Sequence, residues 1–172
     1  MIVGTVVVII ALLMVCSWLQ AERARLVVRA GCLSQSTKLL DQHHEALVHF
    51  LDHPKATPFL RSIALDLSDA CLREDHIVSL ARAITQDEPV NETPTAFDEA
   101  LSGLRVADAE LHDVFIRACT AGMLAGIMKF PESSAMLLDA AAKIATNPRK
   151  DVKLAASRLP PHQRFTGGEA FA

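Results

Sequence analysis

The chain has 172 residues, enough for one domain with its own core, and a formal charge of −3 at neutral pH. Hydrophobic residues make up 51% of it, yet only 5% is aromatic and tyrosine is absent, which speaks against a platform for stacking nucleic-acid bases. The charge is uneven: 20–53 is balanced, 54–147 has eight basic and fourteen acidic side chains, and 148–172 has five and two.

Residues 2–19 form an apolar run of eighteen residues without a charge. As a helix rising ~1.5 Å per residue this run covers about 27 Å, close to the ~30 Å hydrocarbon core of a bilayer. The stretch Val6-Val7-Val8-Ile9-Ile10 would suit a buried strand, but strands rarely reach this length. A cleaved signal peptide would need a basic leading region and a small-x-small cleavage site, and Glu22 and Arg23 sit awkwardly between Ala21 and Ala24. The run therefore predicts a single transmembrane helix over 2–19. Arg23, Arg25 and Arg29 follow it closely, so the Lys/Arg excess predicts an outside N-terminus and a cytoplasmic domain, with Trp18 at the interface. Three cysteines lie beyond the run, Cys32, Cys71 and Cys119; an odd number without metal-like spacing fits a reducing compartment.

From residue 20 the apolar pattern is helical. Leu26, Leu33, Leu40 and Leu47 recur every seventh residue, with Ala30, Thr37, His44 and Leu51 four places after each. That predicts a core-facing stripe on a helix running on from the membrane to about Asp52, weakened at Gly31 and ended by Pro54. Thr57-Pro58 reads as an N-cap and first-turn proline opening a helix with Phe59, Ile63, Leu67 and Ala70 on one face. The polar stretch 73–76 bends or breaks that helix, and Ile77, Leu80 and Ile84 resume the pattern.

An acidic connection over 86–94 leads to Thr95 and Asp98, spaced as a capping box. Phe97, Leu104, Leu111, Val114, Ala118, Ala121, Ala125 and Met128 then predict one unbroken helix ended by Pro131, with alanines that let a neighbour approach closely. A short helix over 134–145 and another after Asn147-Pro148 complete the pattern, and 162–172 reads as a disordered tail. The expected fold is all-α: an N-terminal transmembrane helix over 2–19 that continues into a soluble bundle over 20–161 with about five further helical segments.

Few constellations carry chemistry. Asp41, Glu45, His49 and His53 follow one another at i+4 and form one ridge of metal-ligating side-chain types. The ridge lies opposite the leucine stripe, and the Glu-x-x-His pair of inward-facing bundle metal sites is missing, so it reads as a solvated face before it reads as a metal site. His44 reads as a histidine at the core edge, or as a pH-responsive position. Asp108 with His112 and Asp113 with Arg117 read as surface i,i+4 pairs. No phosphate loop, paired-His zinc motif, dinucleotide fingerprint, haem-attachment motif or Gly-x-Ser-x-Gly setting occurs, so no cofactor is expected.

Two features suit an interaction role. Ala118, Gly122 and Gly126 form a small-residue ridge, either the buried centre of the bundle or a docking face for a partner helix. The segment is too short between Arg117 and Lys129 for a second span. Arg149, Lys150, Lys153 and Arg158 edge a short helix that is either the last of the bundle or a surface for anionic lipid. The functional expectation is a single-pass membrane protein whose cytosolic bundle serves as an adaptor or accessory subunit, bound to the bilayer through its N-terminal helix and to a protein partner or a second copy. The alternatives are a metal-dependent helical enzyme using the His/carboxylate ridge and an exported helical binding module.

Overall fold

A computed structural model describes residues 2–86, 95–130 and 134–159, and every regular element among them is an α-helix. α1 (Ile2–Asp52) is followed by α2 (Pro58–Leu72), α3 (Glu74–Thr85), α4 (Ala96–Ala107), α5 (Ala109–Lys129), α6 (Ser134–Thr146) and α7 (Pro148–Ser157). Among the described residues six helices therefore follow α1, one more than the apolar pattern suggests. The 162–172 tail lies outside the described residues.

The bundle is built around α5. The C-terminal part of α1 packs along it, α2, α4, α6 and α7 surround it, and α3 is held mainly against α6. α5 has the length and the composition of a membrane span, but 72% of its apolar window is buried inside the protein. Such burial is what the central helix of a bundle requires, since an all-round apolar helix must be covered on every side. Phe115 of α5 is fully buried, with ring centroids 5.0 Å from Phe50 of α1 and 6.2 Å from Phe97 of α4. These tilted aromatic pairs join three helices at one end of the core.

Local signals explain most boundaries. Thr57 Oγ1 accepts the Leu60 N–H, and Pro58 occupies the first turn, where its missing N–H costs nothing. Arg73 ends α2 and precedes α3 in extended backbone. The Thr95–Asp98 capping box forms in both directions, with Asp98 accepting from the Thr95 N–H at 2.8 Å.

Two expectations are corrected. The helix expected to run unbroken from Thr95 breaks at Asp108, whose backbone is extended (φ −161°, ψ 96°). The Asp108 carboxylate caps α5 by accepting from the Leu111 N–H and meets Lys55 Nζ at 2.9 Å, so a side chain expected to pair with His112 is spent on the helix start. His112 is instead buried beside Asp113, and Asp113 faces Arg149 at 3.6 Å rather than Arg117.

The second correction concerns α1. Leu26, Ala30, Leu33, Thr37 and His44 are all exposed, while Ser36, His43, Ala46, Leu47 and Phe50 are buried. Among the described residues burial on α1 begins at Ser36, and the buried row Ser36, His43 and Phe50 lies three residues on from the leucine row, roughly 60° around the helix. A row at exact sevens also drifts by ~20° per heptad around a straight α-helix, so it cannot stay on one face over several heptads. The helix runs through Gly31 without interruption.

Candidate functional site

The His/carboxylate ridge does not assemble into a site. Asp41, Glu45 and His49 are exposed near the end of α1, and His53, half-buried, stands just past its last residue. The His49 and His53 rings stand edge-to-face at 6.4 Å, and His53 Nδ1 accepts the Lys55 N–H at 3.3 Å. Among the described residues no group of three or more His, Cys, Asp or Glu is arranged to hold a metal ion.

The small-residue ridge is turned inward. Ala118, Gly122 and Gly126 are buried, and the chain's own helices fill the space beside them. A Cβ on Gly122 would stand 3.0 Å from His43 Nδ1, and one on Gly126 would stand 2.5 Å from the Cys71 carbonyl oxygen. The glycines thus admit an imidazole from α1 and the backbone end of α2, which accounts for the ridge by packing within the fold.

The polar chemistry of the interior lies where these helices meet. His43, 8% exposed, has Nδ1 2.8 Å from the Ala118 carbonyl oxygen and Nε2 2.8 Å from Ser68 Oγ. A carbonyl can only accept, so Nδ1 carries a proton, and in the neutral ring Nε2 accepts from the Ser68 hydroxyl. About two turns earlier, the buried Ser36 hydroxyl donates to the Ala125 carbonyl at 2.9 Å. Both carbonyls belong to α5, and both bonds cross from α1. A serine donating to an oriented imidazole is the order of a nucleophile–base pair. Ser68 sits within α2, however, where backbone N–H groups are consumed by carbonyls four residues earlier and offer no oxyanion donors. The pair is a three-helix tie: α2 to α1 through Ser68, α1 to α5 through His43.

Two openings share Cys71 in their lining, and the first borders this tie. One of about 310 Å³ is bordered by Leu40, Asp41, His44, Ser68 and Leu72. Another of about 350 Å³ lies between α2, α3 and α7, floored by Leu67, Ala70, Leu80 and Leu159 with His76 and Arg158 at its edge. Between them, burial pushes the Cys71 thiol up to about 12. Cys119 is raised by burial and then by the nearby Cys71. Both stay protonated at neutral pH and are poor nucleophiles.

The basic edge of α7 is engaged within the bundle. Lys153 pairs with Asp98 at 2.9 Å, Arg149 with Asp113 at 3.6 Å, and Arg158 donates to Ser79 Oγ at 3.3 Å. Val152, Ala155, Ala156 and Leu159 are buried, so α7 packs as one of the helices of the bundle. The residue that sequence reasoning misses is His43, although a signal for it exists. Ser36, His43 and Phe50 recur at sevens just as the leucines do, and Gly122 supplies a matching hollow.

The most extensive apolar surface among the described residues is neither opening. On α1, Ile10, Leu12, Leu13, Met14, Val15, Trp18 and Leu19 are 53–68% exposed. Beyond them, Leu26, Val27 and Val28 are 58–65% exposed and Leu33 is 44% exposed. No protein-family model, no curated protein and no solved structure matches the chain.

Proposed function

We propose that this chain is a single-pass membrane protein, anchored by the first part of α1 with its N-terminus outside, whose cytoplasmic helical bundle serves as an adaptor or accessory subunit of a membrane complex. The observation that carries this reading is the exposed apolar surface from Ile10 to Leu19, continuous with an uncharged run that begins at Ile2. A contiguous apolar surface of this size is unfavourable in water and marks a membrane or protein contact. Eighteen uncharged residues at helical rise match a hydrocarbon core, and a helix satisfies its own backbone there. Arg23, Arg25 and Arg29 favour the cytoplasmic side for everything that follows. The bundle's polar interior supports a binding role over catalysis, because the Ser68–His43 pair is spent on tying helices together.

Carbonate washing of membranes and a pair of reporters fused after Ala172 test the proposal. The chain should resist carbonate, a reporter active only in the cytoplasm should work, and one that needs export should not. Release by carbonate would remove the anchor. The opposite reporter pattern would reverse the orientation and favour an exported binding module.

A further inference from the structure

The leucine row of α1 is longer than the part that reaches the bundle. Leu12, Leu19, Leu26 and Leu33 stand at sevens on the exposed part of the helix, and the same row continues to Leu40, half-buried, and Leu47, buried. Anchorage covers only its beginning. From Leu19, Leu26 is about 10 Å further along the helix and Leu33 about 21 Å, whereas the headgroup region adds only ~5–7 Å beyond the hydrocarbon. The bundle does not cover Leu26 or Leu33 either, because Ser36 is the first buried residue of α1 among those whose exposure is described. Between bilayer and bundle, then, an apolar row stands in water with charged residues beside it.

We propose that residues 12–33 of α1 pair in parallel with the same residues of a second copy, as a left-handed two-helix coil with the leucines at the d positions. Leucine at d suits two-stranded parallel coils, and a seven-residue repeat is what makes two helices supercoil leftward. In this register Cys16, Arg23 and Ala30 are the facing a positions, and Glu22 is the g position directly before Arg23. Each Glu22, which also pairs with Arg25 of its own helix at 3.6 Å, then flanks the second copy's Arg23 and offsets the repulsion between the two facing arginines. Val27, 65% exposed, falls at the adjoining e position and widens the apolar contact. Two anchored copies share one orientation and one height above the membrane, which brings these residues opposite one another; to this extent the pairing rests on the anchored reading.

Cysteine cross-linking of the full chain in membranes tests it, in a Cys16→Ser/Cys32→Ser background. Ala30→Cys at the seam should oxidise to a dimer roughly ten-fold more than Gln35→Cys, an exposed f position on the outer face. Glu22→Arg should sharply reduce the Ala30→Cys dimer, and Glu22→Arg/Arg23→Glu should restore it. Shielding of Cys71 and Cys119 from maleimide reports an intact bundle in each variant. Equal cross-linking at 30 and 35, no dimer at 30, or indifference to Glu22→Arg overturns the pairing. Carbonate release, measured on the same samples, bears on the anchor alone, so the two readings fail separately.

Discussion

The two ends of α1 are made of similar material and live in different surroundings. Leu47 is 8% exposed and Phe50 is fully buried against Phe115, whereas Leu26 and Leu33, on the same helix and in the same row as Leu47, are 58% and 44% exposed. Helix formation is indifferent to this: the backbone runs unbroken through both regions. What differs is the neighbour. From Ser36 onward α5 presents carbonyls, small residues and a glycine hollow, and α1 seats Ser36, His43 and Phe50 there. Periodicity identifies an amphipathic helix but not the surface that meets its apolar side.

The sharpest test sets one region against the other. Phe50→Ala should cost about 3–5 kcal/mol of bundle stability, because it opens a cavity beside Phe115 in a site with no exposed side. Leu33→Ala should shift the same unfolding transition by no more than about 0.5 kcal/mol. Thermal or denaturant unfolding of the two variants in detergent micelles, followed by circular dichroism, reads both. Similar losses would mean that the bundle reaches further along α1 than Ser36.

A finer version of the comparison separates adjacent residues. His43→Ala removes two hydrogen bonds and leaves the Ala118 carbonyl without its imidazole donor, which should cost about 1–3 kcal/mol. His44→Ala, on the exposed side, should stay within about 0.5 kcal/mol. Ser68→Ala should fall between them. Equal effects at 43 and 44 would dissolve the three-helix tie.

These neighbours also mark the limit of what a sequence discloses. The caps at Thr57 and Thr95 are legible because an N-cap is a local object: acceptor, donor and spacing lie within one turn. The break at Asp108 escapes notice because the apolar seam continues across it, with Leu104 and Leu111 both buried. An aspartate with Glu110 two residues later is a helix start that a continuous seam conceals. Choosing His43 over His44 needs the position of Gly122, three helices further along the chain and then into a fourth, and no local pattern contains that. The outward face of Asp41, Glu45 and His49 is legible because these three share one helix, with His53 directly after its end.

Acid should loosen a specific joint between α4 and α7. Burial alone would raise the Asp98 carboxyl, but the Thr95 N–H, Lys153 and the Thr95 hydroxyl hold it below its ordinary value. A carboxylate lowered in the folded state adds stability above its unfolded pKa, and that contribution is lost as pH falls through the folded value. Stability should therefore decline below about pH 4, the unfolded carboxylate range. Asp98→Asn should lower neutral-pH stability modestly and flatten part of that slope, as should Lys153→Met to a smaller degree. An unchanged acid limb in Asp98→Asn would show that this joint does not contribute to it.

The smallest effect belongs to the solvated ridge of α1. Glu45 and His49 are exposed and His53 is half-buried at the end of the same helix, so truncation opens no cavity in the core. A helix-surface i,i+4 pair contributes only about 0.2–0.5 kcal/mol, and the higher helix propensity of alanine offsets part of its loss. The double change His49→Ala/His53→Ala should accordingly shift the midpoint by no more than about a degree or two. Metal binding would behave differently, since a ligand held by the folded state alone stabilises it by mass action. A chelator should therefore leave wild type and double variant equally unaffected, and elemental analysis should find no stoichiometric iron, manganese or zinc. A drop of several degrees with chelator in the wild type, abolished by the double change, would mean that His49 and His53 recruit a metal, with the remaining ligands supplied from outside this helix.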